Sequence, residues 1–205
     1  MLESYKKLTN SIVGFVNSQR KLGKRTQNAI VPRDERVAFI EALRWAFAQN
    51  LTLDMFSEAS CRLKSGKMLV TVEGIQFSRI NEESMGIFSL SGGSSLELKS
   101  PPRHIEWHQA IYQYPIHNAV LYCHPAAALM AAQKETLPDL GGVIDAKPFL
   151  GGAAVVEPDL QAIQESAENA NLLLVPGYGL IAIGANLSEA VTRAEIFSRL
   201  CETIR

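Results

Sequence analysis

The four histidines of the chain all fall between residues 104 and 124. Imidazole groups bind metal ions and move protons near neutral pH, so this cluster indicates either a metal site or acid–base chemistry. His104 and His108 are four residues apart, which places both rings on one helix face at a spacing compatible with sharing one ion. A histidine on the inner face of a helix is, however, more often hydrogen-bonded in the core. His117 follows a proline in a loop, and we expect it to face solvent.

His124 stands at the end of a predicted strand. The stretch "NAVLYCHPAAALMAA", residues 118 to 132, is typical of a buried strand that leads into a helix. Ligands and chemistry gather at strand ends in open α/β sheets. The metal hypothesis therefore centres on His124. The strand that follows the helix would bring His124 back beside the start of that helix, where His104 lies.

The elements around this segment alternate between helical and strand periodicity. A helix is predicted from Pro32 to about Asn50, and another between the prolines near 102 and 115. A last helix opens with Asn186 and Glu189 at capping-box spacing. The strand candidates are "ASCRL", "KMLVTV", "MGIFSL", "LELK", "NLLLVP" and "LIAIG", and "KPFLGGAAVV" is either a core strand or a subunit contact. The pattern predicts an α/β protein with a three-layer α/β/α domain over residues 33–205, preceded by a helical arm and linker at 1–32.

Composition limits the classes of function. The hydrophobic fraction of 47% fits one compact domain, and the net charge of −1 gives no basic stripe for a nucleic-acid backbone. No run approaches the roughly 20 apolar residues of a membrane span. Three widely spaced cysteines and a start, "MLESYKKLTN", without a signal-peptide core indicate a soluble cytoplasmic protein with reduced thiols.

Three stretches carry a family resemblance: "ASCRLKSGKMLVTVEGI", "HIEWHQAIYQYPIHNAVLYCHP" and "LLLVPGYGLIAIGANLSEAVTRAEIFSRL". Their order and spacing over about residues 33 to 205 resemble the class II aldolase/adducin family, which includes fuculose-phosphate aldolase. The resemblance implies a class II aldolase-like domain with a mostly antiparallel central sheet. It also implies a homo-oligomer, with a tetramer favoured.

The resemblance further implies where a metal and the catalytic groups would lie. Catalytic members hold zinc with two histidines at the strand end and a third before a later glycine, and a glutamate at a helix start is the acid/base. These positions fall here on Tyr122 and His124, on Tyr178, and on His104. The implied metal ligands are therefore His124, His104, Tyr122 and Tyr178, with His104 and Tyr178 as catalytic groups. Two phenols and two imidazoles favour a trivalent ion such as ferric iron over zinc if a metal binds, with zinc, iron and manganese as the candidate metals. The alternative is a vacated site without metal.

The positions that bind phosphate in sugar-phosphate members also differ in residue type. They read Ser57, Glu58, Pro102 and Arg103, and proline has no N–H to offer. A carboxylate about 4 Å from a phosphate costs on the order of 4 kcal/mol per charge at a dielectric near 20. Arg103 either offsets that charge or pairs with Glu58. We expect Glu58, Arg103, Ser57 and Thr71 to bind a substrate other than the usual sugar phosphate.

Two classes of function follow from these observations. One is a divergent metal-dependent lyase of the aldolase or decarboxylase type, or an epimerase, acting on a small carbonyl or sugar-acid substrate. The other is a non-catalytic, adducin-like oligomeric scaffold with a vacated metal site. Metal content discriminates between them.

Overall fold

The structure, a computed structural model, describes residues 30–92, 99–142 and 145–204. Residues 1–29 of the predicted N-terminal arm and linker, and most of the predicted strand "LELK", lie outside the described residues. In the part of the chain that is described, no helix has both the length and the apolar character of a membrane span.

A seven-stranded sheet forms the centre of the domain, in the order β3-β2-β1-β4-β7-β6-β5. Its strands are β1 (Glu58–Arg62), β2 (Lys67–Thr71), β3 (Met85–Ser89), β4 (Ala119–Cys123), β5 (Ala153–Val155), β6 (Leu172–Val175) and β7 (Gly179–Gly184). Only the pairing of β5 with β6 is parallel; the other five are antiparallel. The predicted, mostly antiparallel central sheet is confirmed.

Six α-helices cover the sheet within the described residues: α1 (Arg33–Ala48), α2 (Ile105–Ile111), α3 (Ala126–Gln133), α4 (Ala146–Leu150), α5 (Leu160–Ala167) and α6 (Leu187–Cys201). Alternate residues of β4 face opposite layers, because successive side chains of a strand point to opposite faces. Leu121 packs in the core that includes α1, α3 and α6, whereas Val120 and Tyr122 pack with α2 and α5. The three-layer α/β/α architecture is therefore as predicted.

Helix α2 is shorter than the sequence suggested, since it ends at Ile111 rather than near residue 115. The guanidinium of Arg62 donates hydrogen bonds to the carbonyls of Tyr112, Tyr114 and His117, which fixes the chain in turns after the helix. At the other end of the domain, the predicted helix cap is confirmed, because the Asn186 side chain accepts from the backbone N–H of Glu189.

The prediction that His117 faces solvent is wrong. Its side chain is buried, and its Nε2 lies 2.7 Å from the carbonyl oxygen of Ala167 at the end of α5. The turn after Pro115 packs against that helix end, where the ring satisfies a carbonyl that the helix itself leaves free. The segment "KPFLGGAAVV" is likewise not one strand: its first part ends α4, and β5 begins only at Ala153.

Strand register brings the candidate residues to one end of the sheet. Glu58 in β1 lies directly opposite Tyr122 in β4, and Cys123 in β4 lies opposite Leu180 in β7. His124 therefore leaves β4 beside the point where Tyr178 enters β7.

Candidate functional site

A cavity of about 810 Å³ opens at this end of the sheet, and the predicted residues converge on it. Its lining includes Ser57, Glu58, Arg103, His104, Tyr122, His124 and Tyr178. The His104 ring centroid is 4.9 Å from that of Tyr122 and 5.9 Å from that of Tyr178, and the Tyr122 and His124 centroids are 4.7 Å apart. The structure thus brings the four residues together, while the chemical roles assigned to them stay predictions.

Glu58 holds His104 by its side chain and by its backbone. The carboxylate oxygen Oε1 lies 3.0 Å from His104 Nδ1, and the backbone N–H of His104 donates to both carboxylate oxygens at 3.2 and 3.1 Å. A carboxylate only accepts hydrogen bonds, so it fixes the proton of a neutral imidazole on Nδ1. Nε2 of His104 is then the nitrogen left with a lone pair for a ligand in the cavity.

Glu58 is ionised although it is buried. Burial alone would raise its pKa, but the hydrogen bond from His104 and the electrostatic attraction of the His104 and His108 rings bring the pKa down to about 2. The contact with His108 is mainly electrostatic, because Nε2 of that ring is 3.5 Å from Oε2, beyond a good hydrogen bond. The carboxylate therefore carries a negative charge next to His104 at neutral pH.

A series of buried polar groups, beginning with His108, lies next to Glu58. Nδ1 of His108 is 2.7 Å from the hydroxyl of Ser60, which in turn is 2.8 Å from the hydroxyl of Tyr112. His108 does not line the cavity. The interpretation of His108 as a hydrogen-bonded core histidine therefore fits the structure better than a metal ion shared with His104.

His124 is a neutral imidazole held on its inner side. Nδ1 lies 3.2 Å from the hydroxyl of Ser57, and the backbone N–H donates to the carbonyl of Leu51 at 2.8 Å. Burial, and to a lesser degree His104, lower the pKa of His124 to about 4, although Glu58 acts in the opposite direction. Ser57 thus orients His124 and also lines the cavity.

Acid should destabilise the protein through His124. Its folded-state pKa lies below the ordinary 6.5, so the unfolded chain binds the proton first, and stability present above pH 6.5 is lost as the pH falls towards 4. We expect urea unfolding to show a loss on the order of 2 kcal/mol between about pH 7 and pH 4.5.

The His124→Gln variant should lose most of this dependence, whereas Ser57→Ala, which keeps the imidazole, should retain it. A small slope should remain, because burial also lowers the pKa of His117. An unchanged acid loss in His124→Gln would contradict the assignment.

Aromatic rings enclose His104 on the remaining sides. Burial, followed by the charge of Glu58, raises the pKa of Tyr122 well above 10, so its phenol keeps its proton and is a hydrogen-bond donor. Tyr178 is 41% exposed at the cavity mouth. Trp107 stacks on His104 with centroids 4.3 Å apart, a role that the sequence analysis missed although the two residues are three apart at the start of α2.

The donor groups of the cavity fit poorly to the divalent metal that class II aldolases commonly use. Among the described residues, no group of three or more His, Cys, Asp or Glu side chains is arranged to hold an ion. The Tyr122 ring contacts both His104 and His124. The carboxylate of Glu58 already accepts three hydrogen bonds.

Of the remaining predicted substrate ligands, Arg103 lines the cavity and Thr71 does not. Arg103 is exposed at the cavity wall and, within the described chain, forms no ion pair; the partners of Glu58 are histidines instead. Thr71 is buried and absent from the cavity lining, and its hydroxyl accepts the backbone N–H of Ala59. The position of Thr71 therefore gives its predicted substrate role no support.

Several lining residues were missed by the sequence analysis. They are Leu53, Met55, Phe56, Val72, Glu73 and Leu129. The signal that could have indicated the first three is the run "LTLDMF", which places large apolar residues in a connection between a helix and a strand.

Comparison with known proteins agrees with this fold. The family model described as "Class II Aldolase and Adducin N-terminal domain" matches residues 37–204, whereas no curated protein matches.

Similar solved structures include YgbL from Klebsiella pneumoniae, with a TM-score of 0.74, 20% identity and coverage of 84% of this chain and 88% of that one. An L-fuculose 1-phosphate aldolase has a TM-score of 0.75 at 19% identity, with 84% and 85% covered. A sugar-phosphate aldolase from Thermotoga maritima has a TM-score of 0.73 at 18% identity, with 83% and 93% covered. The family match over most of the chain, on the fold described above, establishes that the protein belongs to the class II aldolase and adducin family.

Proposed function

We propose that the protein is an acid–base enzyme that forms an enolate from a small, unphosphorylated carbonyl compound, with His104 as the base. The observation that carries the proposal is the hydrogen bond between Glu58 and His104 Nδ1 at 3.0 Å. A buried carboxylate that orients an imidazole, and stabilises the imidazolium formed when the ring takes a proton, is an arrangement suited to general-base catalysis.

In the proposed step, Nε2 of His104 takes a proton from the carbon next to the substrate carbonyl. The electron pair of the broken C–H bond forms the C=C bond of an enolate, and the carbonyl π electrons move to oxygen. His104 becomes an imidazolium that is paired with Glu58. Return of a proton to the same carbon restores the substrate or inverts its configuration, and the same enolate is the product of carbon–carbon cleavage by an aldolase or decarboxylase.

Two phenols are available to stabilise the enolate oxygen. Tyr122 retains its proton, and Tyr178 stands across the cavity with its ring 5.9 Å from that of His104. A neutral O–H donor aimed at developing negative charge in a partly dry site favours the transition state over the ground state. The family resemblance implies that these two residues fall at positions where catalytic members carry metal-binding histidines. The hydrogen bonds of phenols would therefore act where those enzymes use a cation.

Charge at the cavity supports an unphosphorylated substrate. Glu58 and Glu73 both line it, against one exposed arginine, Arg103. Pro102, beside His104, offers no backbone N–H to an anion. A phosphate group there would meet a fixed carboxylate, and position 102 would offer it no backbone donor.

The direct experiment is proton exchange followed by NMR in heavy water. Hydroxyacetone, other short hydroxyketones and short 2-oxo acids are incubated with the protein, and loss of the signal from the carbon-bound proton next to the carbonyl is measured. Exchange should persist in the presence of a chelator. If a chelator abolishes exchange and zinc, iron or manganese restores it, the metal-dependent hypothesis is supported instead. Absence of exchange across the panel would favour the non-catalytic scaffold.

Phosphate binding gives a second test of the same site. Dihydroxyacetone phosphate should bind weakly in calorimetric titration, and Glu58→Asn should bind it at least about tenfold more tightly, because a like charge is removed. Glu106→Gln removes an exposed charge on α2 outside the cavity and should leave the affinity unchanged. Tight binding of this phosphate by the unaltered protein would contradict the argument.

A further inference from the structure

One wall of the cavity is apolar and comes largely from a single short segment. Leu53 precedes, and Met55 and Phe56 lie within, the 3-10 turn Asp54–Phe56 that leads into β1. The three side chains are 50%, 49% and 57% exposed, and all three line the cavity. Val72 and Leu129 extend the same apolar lining.

This grouping differs from the scattered apolar residues of an ordinary protein surface. Single exposed hydrophobic side chains are common, but a contiguous set at a concave site marks a place where an apolar group binds. The other lining groups, Glu58, His104 and Tyr178 among them, provide hydrogen-bonding and acid–base chemistry. The cavity therefore offers a polar, reactive part and an apolar wall within one space.

The size of the cavity is consistent with a ligand that reaches both parts. At about 810 Å³ it lies towards the upper end of the range of roughly 300–1,000 Å³ that is typical of small-molecule sites. A three-carbon hydroxyketone bound beside His104 would leave the apolar wall in contact with water. A substrate with an apolar substituent would cover that wall.

We propose that the substrate is a carbonyl compound whose reactive end lies at His104 and whose other end is an unphosphorylated alkyl or aryl group seated on Leu53, Met55 and Phe56. This substrate class rests on the proposed function, because it places the reactive carbon at the Glu58–His104 pair. In place of a phosphate, the apolar substituent supplies the binding energy that holds the substrate in position.

The test is a homologous series measured by two independent methods. Hydroxyacetone, 1-hydroxybutan-2-one and 1-hydroxyhexan-2-one differ only in alkyl length, and their affinity is measured by calorimetry while proton exchange is followed by NMR. Each added methylene should tighten binding about three- to fourfold if it is buried on the wall.

Substitutions in the apolar wall test whether the gain in affinity with alkyl length arises there. Met55→Ser and Phe56→Ser should each reduce the gain in affinity per methylene. Ile116→Ser is the matched control, because Ile116 is 71% exposed and does not line the cavity. Met55 and Phe56 are both exposed, so their serine variants should fold.

The outcomes separate this inference from the proposed function. Affinity that does not rise with alkyl length overturns the apolar-substituent proposal, even if exchange occurs. Affinity that rises with length, without exchange of any member, supports the binding site and overturns the assignment of His104 as the base. If Met55→Ser and Phe56→Ser change the molar mass in light scattering but not the dependence on length, the wall is a contact between copies of the chain and the proposal fails.

Discussion

Replacing His104 by glutamine should slow proton exchange by about 10²–10⁴-fold, the range that a positioned general base contributes. Glutamine is similar in reach but has no basic nitrogen. The fold should survive, because Glu58 is also bound by the backbone N–H of residue 104, which every substitution except proline retains. The measurement is the exchange rate of the best member of the hydroxyketone series, with thermal unfolding as a check on the fold.

Glu58→Gln tests the partner of the base. The amide keeps the shape of the carboxylate but loses the charge that stabilises the imidazolium, so exchange should fall by at least about tenfold. Glu106→Gln removes an exposed charge from α2 outside the cavity and should leave the rate unchanged. If His104→Gln keeps exchange within about threefold of the unaltered protein, His104 is not the base.

The second large effect concerns Gly179, the first residue of β7. A Cβ at this position would lie 2.5 Å from the carbonyl oxygen of Cys123, 3.1 Å from His124 Cδ2 and 3.3 Å from Tyr122 Cε2. The first contact is with the backbone at the end of β4, an inner strand of the sheet, which cannot move without disturbing the β4–β7 pairing. We expect Gly179→Ala to lower the free energy of unfolding by on the order of 2–4 kcal/mol in urea titration.

Gly177→Ala provides the matched control two residues away. A Cβ there meets nothing within 4 Å, but the backbone φ is +76°, which disfavours alanine. Its cost should be about 1 kcal/mol, from backbone strain alone. Equal costs at the two glycines would show that the close approach of β7 to Cys123 is not what constrains Gly179.

The sequence predicted the positions of the cavity residues better than their partners. His124 and Tyr178 line the same cavity because they lie at the ends of strands whose apolar patterns were readable. The family resemblance supplied the order of the strands. The placement of His104, Tyr122, His124 and Tyr178 followed from that order. Periodicity and strand order are coarse features, so they tolerate the low sequence identity of the relatives.

The partners of Glu58 could not be predicted in the same way. Sequence reasoning considered Arg103, because the family resemblance places it with Glu58 at the phosphate-binding positions, but the carboxylate contacts His104 and His108 instead. That choice depends on the register of β1 against β4 and on how α2 lies over the sheet, which determine side-chain distances to within about an ångström. His117 was misplaced for the same reason: a carbonyl at the end of α5 receives its ring, and nothing local in the sequence indicates that contact.

The stacking of Trp107 on His104 gives the protein an internal optical probe. An indole ring attracts a protonated imidazole stacked on its face, and a protonated imidazole quenches indole fluorescence much more strongly than a neutral one. The chain has two tryptophans, and the other, Trp45, is half exposed on α1. A Trp45→Phe protein would therefore emit from Trp107 alone, and its intensity would follow the proton on His104. Ligand binding and proton uptake at the cavity become visible without a label, and before any substrate is known.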